Sequence, residues 1–454
     1  MSTTRADTLA RHVWPRSAER TPDGAISIGG LDVRALAAEV GTPVYVIDEE
    51  EVRTRAREFR AAFTDAFAQI GAQADVYYAG KAFLCTAMAR WIHEEGLRLD
   101  VCSGGELAVA QRAGFPGALL GLHGNNKSEA EIDAAVAYGV GRIVVDSFEE
   151  IERVAQAGRR HGVVVPVMLR VKTGVEAHTH EFIATAHEDQ KFGFSIGRGQ
   201  VKDAAARVLD QRDALQLLGF HSHIGSQIFD TKGFAEAAVR LIRLQLDVAQ
   251  AHAITLPELD LGGGFGIAYV DSDTPLAFDD MARQLAEIVQ RACQEAGTPV
   301  PHISVEPGRA IVGPAGVTVY AVGAVKPVQV SDDFVRTYVS VDGGMSDNPR
   351  PVLYDADYTC SLASRTSAAE AVATRVVGKH CESGDIVVRN VDLPGDVTAG
   401  DLLAVPATGA YCRSLSSTYN YIPRPPVVAV RNGEVRTLIR RETIADILAL
   451  EGDS

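Results

Sequence analysis

Apolar residues recur every three or four positions after Asp48, and this spacing predicts a long amphipathic helix. The three glutamates that follow Asp48 suit the start of a helix, because acidic side chains stabilise the positive end of its dipole. Gly71 ends the pattern after apolar positions at Val52, Ala56, Phe59, Phe63, Phe67 and Ile70. A short apolar strand over residues 76–79 follows at once.

The alternation of apolar strand and helical segment continues as far as residue 305. Strands that are mostly apolar on both faces are predicted near residues 76–79, 98–102, 119–123, 142–146, 164–171, 217–222, 258–261 and 302–305, with helical segments such as 104–113 and 148–160 between them. Such strands are typical of parallel sheets covered by helices. Eight of them predict a TIM-type (β/α)8 barrel over residues 47–316, and a doubly wound open sheet is the alternative.

The pattern becomes strand-like after residue 317. Apolar β-type segments at 317–320, 337–341, 386–388 and 427–430 are separated by turn sequences, among them Asp-Gly-Gly at 342–344 and Arg-Asn-Gly at 431–433. We therefore expect a mostly β domain over residues 317–454 that ends with a short helix near 442–451. Residues 1–46, with an apolar segment at 25–28, are expected to pack with this domain.

Composition excludes several functional classes. The chain has 44 basic and 59 acidic residues, a net charge of −15, so we expect no nucleic-acid partner and no attraction to anionic membranes. The first 24 residues contain no apolar signal core, and no apolar run reaches the ~18 residues that a membrane helix needs, so we expect neither a signal peptide nor a membrane span. The six cysteines form no C-x-x-C pair, which favours free thiols and a cytoplasmic protein.

Polar residues and glycines stand where the predicted barrel strands end, and barrels carry their chemistry at the carboxyl ends of strands. They are Lys81, Asp100, Arg170, the sequence His-Ser-His-Ile-Gly-Ser at 221–226, the glycines at 262–264, and Glu-Pro-Gly-Arg at 306–309. Glycines after strands seven and eight, with the hydroxyl of Ser226, predict a phosphate site, because bare backbone N–H groups bind phosphate there.

Lys81 lies between Tyr78 and Phe83, and a lysine in apolar surroundings can have a lowered pKa and form a Schiff base. A phosphate site, a lysine and the carboxylate of Glu306 on one rim predict pyridoxal 5'-phosphate. Glu306 would pair with the protonated pyridine nitrogen.

Two pairs of histidines raise a competing metal interpretation. His221 and His223 alternate along a predicted strand, so both face the same side, and His178 and His180 form a second pair. Two histidines on one face can ligate zinc, but no cysteine or aspartate cluster completes either set. We therefore expect no metal.

Seven motifs occur along the chain in a fixed order. They are YYAGK (77–81), HSHIGSQ (221–227), LDLGGGFGIAY (259–269), EPGRAIVGP (306–314), DGGMSDNPRPVLY (342–354), CESGD (381–385) and GAYCRSLSSTYN (409–420). In these motifs the chain resembles the diaminopimelate decarboxylases, a family of fold-type III pyridoxal-phosphate enzymes. The resemblance implies decarboxylation of meso-2,6-diaminopimelate to L-lysine and CO2, the last step of lysine biosynthesis.

The resemblance also implies which residues hold the cofactor. Lys81 would be the Schiff-base lysine and His223 would stack on the pyridine ring. The remaining cofactor residues would be Gly264, Ser226, Gly308 and Arg309 at the phosphate, Glu306 at the ring nitrogen, Asp100 and Arg170 as polar support, and Tyr411.

The implied substrate residues match the charges of diaminopimelate, which carries an amino and a carboxylate group at both ends. Arg309 and Arg350 can bind the far carboxylate through paired hydrogen bonds, with Tyr354 and Tyr411 beside it. Glu382 can pair with the far ammonium. Ornithine and arginine have no far carboxylate, so this charge pattern favours diaminopimelate.

Cys381 on its own reads as a small buried apolar residue. The resemblance instead implies that it donates a proton to the α-carbon after CO2 leaves, and that it comes with Glu382 from the partner subunit. A homodimer with shared active sites follows. Residues 176–194 match the family and predict either a mobile lid that excludes water or a solvated loop.

Three alternatives stay open. They are another fold-type III decarboxylase acting on ornithine or arginine, an alanine-racemase-like enzyme, and a non-catalytic pyridoxal-phosphate-binding protein. Arg350 and Glu382 disfavour the first, and a carboxylate at the pyridine nitrogen disfavours the second. The third would need only the barrel, so the β domain would have no purpose.

Overall fold

The computed structural model describes residues 8–175 and 190–452. The first elements are strands β1 (Glu19–Arg20), β2 (Ile26–Ile28) and β3 (Leu31–Asp32), helix α1 (Val33–Val40), strand β4 (Val44–Asp48) and helix α2 (Glu49–Gln69). Asp48 begins α2 as expected, because its Oδ1 accepts the backbone N–H of Glu51 at 3.0 Å.

Alternating strands and helices follow. They are β5 (Ala74–Ala79), α3 (Thr86–Glu94), β6 (Arg98–Val101), α4 (Gly104–Ala113), β7 (Leu120–Leu122), α5 (Glu129–Tyr138), β8 (Arg142–Val145), α6 (Phe148–His161), β9 (Val165–Lys172), β10 (Phe194–Ser195), α7 (Gln200–Leu209), β11 (Leu215–His221), α8 (Lys232–His252), β12 (Glu258–Asp260), α9 (Phe278–Ala296) and β13 (His302–Val305). Among the described residues no helix is long and apolar enough to cross a bilayer.

Eight of these strands close into a parallel barrel. The order is β5-β6-β7-β8-β9-β11-β12-β13, and β13 pairs with β5 to complete the ring. Strand β10 adds a short parallel pairing outside β9. The predicted (β/α)8 barrel is therefore confirmed, and the open sheet is wrong.

An ionic layer fills part of the barrel interior. Arg142, 1 % exposed, forms an ion pair with Asp260 and donates a hydrogen bond to Ser304 Oγ at 2.8 Å. Its guanidinium carbon also lies 3.7 Å from the centre of the Tyr77 ring. Because buried charges need such partners, this layer fixes strands β5, β8, β12 and β13 beneath the carboxyl ends.

The rest of the chain is mostly β. Its elements are α10 (Arg309–Val312), β14 (Gly316–Ser331), β15 (Phe334–Val341), α11 (Arg350–Tyr354), β16 (Ser361–Leu362), β17 (Ala371–Val377), β18 (Ile386–Pro394), β19 (Leu402–Pro406), β20 (Val427–Arg431), β21 (Glu434–Ile439) and α12 (Ile444–Leu448). One sheet runs β18-β17-β15-β14-β4-β20-β21, so the early strand β4 lies between β14 and β20. The predicted β domain and its final helix are confirmed.

The chain divides into two compact units. The barrel unit contains Arg55–Gly266 and Pro275–Gly308, and the β unit contains the chain up to Thr54, Ile267–Thr274 and the chain from Arg309 onward. The predicted boundary after residue 46 falls inside β4, which pairs within the β unit. The domain boundaries at 46 and 316 remain predictions.

Candidate active site

Lys81 lies in a tight turn directly after β5. The turn spans Gly80–Ala82, and the hydroxyl of Tyr78 donates a hydrogen bond to the carbonyl of Phe83 at 2.7 Å, which fixes the turn against the strand. Tyr78 and Phe83 are buried, as the sequence suggests, whereas the lysine side chain itself is exposed. The amine therefore stands at the carboxyl end of the first barrel strand, where a ligand can reach it.

The loops after β11 and β12 hold each other through backbone hydrogen bonds. Ile228 N–H donates to the carbonyl of Gly264 at 2.9 Å, and Gly266 N–H donates back to Ile228 at 3.0 Å. Gly264 has φ +109°, and an added Cβ would lie 2.4 Å from the carbonyl oxygen of Gly225. Only glycine fits at this position. No side chain therefore covers the backbone beside Ser226, and its N–H groups suit a phosphate group.

Gly308 extends the same bare surface to the loop after β13. A Cβ added at Gly308 would lie 3.0 Å from the carbonyl oxygen of Ala79, at the end of β5. It would also lie 3.0 Å from the Cβ of Ala82 in the following turn. The loops of the sixth, seventh and eighth barrel strands thus present glycine backbone, as the sequence predicts for a phosphate site.

His223 is held as a neutral imidazole. Strand β11 ends at His221, so His223 lies in the following loop rather than on the strand face that we expected. Its Nδ1 accepts the backbone N–H of Gly263 at 3.2 Å, which leaves the ring proton on Nε2. Burial lowers the pKa of His223 well below its ordinary value, and Lys81 and Arg170 add to the shift. A fixed, uncharged ring suits stacking on an aromatic cofactor.

Glu306 follows β13 and is 9 % exposed. Its Oε1 lies 3.0 Å from Nε2 of His221 and 3.4 Å from Nε2 of His123. Neither contact is aligned as a hydrogen bond, and this oxygen has no hydrogen-bond donor among the described residues. Burial raises the pKa of Glu306. A buried acceptor without a donor is the site where a protonated ring nitrogen would be stabilised.

His123 belongs to this site although the sequence argument overlooks it. It directly follows β7, so its place at the end of the third barrel strand was a usable signal. Its Nε2 lies 3.1 Å from Oδ1 of Asp100, and burial lowers its pKa to about 4. The nearest ligand atoms of His123, His221 and Glu306 lie within 4.8 Å of one another, a spacing that could hold a metal ion. The expectation of no metal stays a prediction.

Asp100 and Arg170 lie close to the strand ends, where Asp100 is buried and Arg170 is half-buried. Burial raises the pKa of Asp100 well above its ordinary value. Arg170 lies in β9, with its Nε 3.9 Å from Oδ1 of Asp146 and its guanidinium 4.1 Å from the centre of the Phe192 ring. Asp146 follows β8 and is a second strand-end residue that the sequence argument overlooks. The role of Asp100 and Arg170 as polar support remains a prediction.

Two buried arginines of the β unit share a set of tyrosines. Arg309 donates a hydrogen bond from Nη1 to the hydroxyl of Tyr269, and Arg350 donates from Nη1 to the hydroxyl of Tyr358 at 2.7 Å. The guanidinium of Arg309 lies 4.8 Å from the centre of the Tyr411 ring. The structure therefore brings together three predicted residues, and it adds two tyrosines that the sequence argument did not single out. These five residues are the arginine–tyrosine cluster.

Arg350 is 4 % exposed, and among the described residues it has no carboxylate within 4.0 Å. Its partners are the Tyr358 hydroxyl and the face of Tyr269, whose centre lies 4.6 Å from its guanidinium carbon. A buried cation without a protein counter-ion is costly, so the cluster suits an anionic ligand such as a carboxylate.

The other predicted substrate residues lie elsewhere in the β unit. Tyr354 ends α11 and is half-buried, and Cys381 and Glu382 are exposed in the turn between β17 and β18. Within the described part of the chain none of the three makes a hydrogen bond or ion pair with the two arginines. Of the predicted lid at 176–194, residues 176–189, with His178 and His180, lie outside the described residues.

Comparisons with known proteins identify the family of the chain. Residues 49–313 match the family described as pyridoxal-dependent decarboxylase, pyridoxal binding domain. The diaminopimelate decarboxylase of Mycobacterium tuberculosis is 54 % identical over 447 residues, with 98 % of each chain covered, and that of Bacillus subtilis is 46 % identical over 428 residues, with 94 % of this chain and 95 % of the relative covered. The crystal structure of diaminopimelate decarboxylase from M. jannaschii with L-lysine matches with a TM-score of 0.89 at 28 % identity, covering 97 % of this chain and 98 % of that chain.

Proposed function

Because the chain belongs to the diaminopimelate decarboxylases, within the pyridoxal-dependent decarboxylase family, we propose that it converts meso-2,6-diaminopimelate to L-lysine and CO2. Its cofactor is pyridoxal 5'-phosphate, and the reaction is the last step of lysine biosynthesis. The observation that carries the choice of substrate is the buried Arg350, which has no carboxylate partner in the described chain.

The residues of the barrel unit fit the cofactor. The glycine loops around Gly264 and Gly308, with Ser226, would hold the phosphate, and Lys81 would hold the cofactor covalently. The orphaned, buried Oε1 of Glu306 fits a protonated ring nitrogen, and the fixed imidazole of His223 would lie against the ring. When bound, pyridoxal phosphate accepts the electron pair that the departing CO2 leaves on the substrate.

Glu306 would keep the ring nitrogen of the bound cofactor protonated, as this electron sink requires. Its carboxylate is 9 % exposed, and burial raises its pKa, so the anion is stable only beside a cationic partner. A protonated ring nitrogen supplies that partner. Glu306 and the ring would thus stabilise each other's charge, whereas an uncharged side chain at residue 306 would let the nitrogen lose its proton.

The two arginines of the arginine–tyrosine cluster select the substrate by its second carboxylate. Diaminopimelate carries an anionic group at the end that does not react, and guanidinium groups bind carboxylates through two parallel hydrogen bonds. Arg309 and Arg350 are 8 % and 4 % exposed, so little water competes with that carboxylate. We assign Tyr354 and Tyr411 to the same end of the substrate, and Tyr411 also to the cofactor, on the family pattern.

Replacing Arg350 by methionine should lower kcat/KM for diaminopimelate by at least about 100-fold, because a charged hydrogen-bonded pair is lost in a buried site. The measurement is lysine formation at varied substrate concentration. Arg375→Met is the matched control, since its Nε donates to the backbone carbonyl of Arg389 at 3.0 Å on the sheet. An R350M enzyme with unchanged kcat/KM and the wild-type melting temperature would refute the assignment.

We further propose a homodimer in which Cys381 and Glu382 complete the partner's active site. Both side chains are exposed in the single chain, which leaves them available to a second subunit. Cys381 would protonate the α-carbon after CO2 leaves, and Glu382 would pair with the far ammonium. The six cysteines are all free thiols, which supports a location in the reducing cytoplasm.

Mixing two inactive variants tests the shared site. In a dimer of Lys81→Ala and Cys381→Ala chains, one of the two sites regains both residues, so random mixing should restore about a quarter of wild-type activity. Co-expression followed by activity and native mass measurements gives the result. Cys102→Ala in place of C381A is the control: Cys102 has no proposed role, so C102A chains should be active alone and their mixture with K81A chains should show about half of wild-type activity. Hybrid dimers that stay as inactive as the parents would contradict the proposal.

A further inference from the structure

The geometry points to Tyr269 and Tyr358 as positioning residues that orient Arg309 and Arg350 toward one carboxylate and thereby set the preference for substrates with a charged far end. This inference rests on the proposed function, and it concerns two tyrosines that take no part in the roles assigned above. Both belong to the β unit and are buried, at 4 % and 2 % exposure.

Each tyrosine hydroxyl accepts a hydrogen bond from one arginine. Tyr269 accepts from Nη1 of Arg309, and Tyr358 accepts from Nη1 of Arg350 at 2.7 Å. Arginine side chains have many rotamers, so a ligand that binds a flexible guanidinium group loses affinity because the side chain loses conformational entropy. The two hydroxyls fix the orientation of the guanidinium groups before a ligand binds.

The tyrosine rings also join the two arginines into one unit. The rings meet edge to face, with centres 5.0 Å apart and planes 71° apart. The guanidinium carbon of Arg350 lies 4.6 Å from the centre of the Tyr269 ring, and that of Arg309 lies 5.7 Å from it. An aromatic face attracts cations, so it reduces the repulsion between the two arginine charges that lie close to the same ring. Tyr269 therefore contacts both arginines, one by its hydroxyl and one by its face.

Tyrosine orients an arginine without cancelling its charge. Burial raises the pKa of Tyr358 well above its ordinary value, so its hydroxyl stays neutral. The same hydroxyl lies 3.7 Å from Cys412 Sγ, which in turn donates to Oδ1 of Asn348 at 3.4 Å, and this buried chain fixes the ring. A carboxylate at the same place would neutralise Arg350 and compete with the substrate. The neutral hydroxyl keeps the full positive charge for the ligand.

The test uses the cofactor-loaded enzyme and two ligands that differ in the far carboxylate. L-lysine retains that carboxylate, whereas cadaverine has the same chain and both amines without it. Tyr269→Phe and Tyr358→Phe should each weaken inhibition by L-lysine about tenfold, because one hydrogen bond to a charged group is lost, and change inhibition by cadaverine less than twofold. For diaminopimelate, KM should rise by a similar factor while kcat changes less than threefold.

Tyr320→Phe is the matched control. Tyr320 is fully buried in the same unit, and its hydroxyl donates to Oδ1 of Asp347 at 3.3 Å rather than accepting from an arginine. This variant should keep the wild-type preference for L-lysine over cadaverine. Phenylalanine variants of Tyr269 and Tyr358 that keep that preference, or that weaken both ligands equally, would overturn the inference. A wild-type enzyme that binds both ligands equally would instead refute the proposed far-carboxylate site itself.

Discussion

Replacing Lys81 by alanine should abolish lysine formation, with a loss of at least about 1,000-fold in kcat, because it removes the amine that we propose holds the cofactor and exchanges with the substrate amine. The lysine stands in the turn Gly80–Ala82 at the carboxyl end of β5, and no neighbouring residue of that turn carries an amine. The visible absorbance of the covalently held cofactor should vanish together with activity. The measurement is therefore a spectrum and a rate on the same sample.

A lysine on the barrel exterior provides the control for this variant. Lys202 forms an exposed ion pair with Asp247 at 2.9 Å, so Lys202→Ala removes an amine of the same unit without touching the strand ends. It should keep both the spectrum and the rate of the wild type. Turnover by K81A in the absence of the covalent absorbance would contradict the assignment of Lys81.

Replacing Glu306 by glutamine should lower kcat about 100-fold, because a preorganised charge at the centre of the reaction is lost. The amide has nearly the same shape but cannot hold a proton on the ring nitrogen, so the electron sink is weaker. KM for diaminopimelate should change little, since the carboxylate does not serve the far end of the substrate. Steady-state kinetics separate these two effects.

The pH profile gives Glu306 a second signature. Burial raises the pKa of this carboxyl group, and the active form is the anion, so the wild-type rate should fall as pH decreases through that pKa. The E306Q rate should lack this acidic limb because glutamine does not titrate. Glu287→Gln, an exposed change in α9 beside Arg283, is the control and should leave the profile unaltered. A wild-type kcat in E306Q would refute the assigned role.

Local sequence signals were sufficient for the barrel. The helix expected over 104–113 is Gly104–Ala113 in the structure, since Ser103 caps it by accepting the N–H of Glu106. The strand expected at 302–305 is His302–Val305, because its apolar side chains are buried on both faces. The polar residues at the carboxyl ends of the barrel strands could be predicted from the same sequence signals, because barrel topology brings all of these ends to one face.

Features that depend on distant pairing escaped the sequence argument. Residues 1–46 were expected to pack with the β domain, but strand β4 continues to Asp48 because it pairs with β14 and β20, which are far along the chain, and nothing near residue 46 reveals that pairing. Tyr358 acts through a contact with Arg350 that only folding creates. His123, by contrast, follows a barrel strand directly. It could have been predicted if the residues after all eight predicted strands, and not after six of them, had been considered.

The central claim is that this enzyme decarboxylates diaminopimelate and recognises its second carboxylate. The most direct measurement offers meso-diaminopimelate and ornithine separately to the purified, pyridoxal-phosphate-loaded protein and quantifies CO2 and the amine product. We expect stoichiometric CO2 and L-lysine from diaminopimelate and no CO2 above background from ornithine. CO2 release from ornithine alone would leave the cofactor site intact and contradict the function assigned to Arg309 and Arg350.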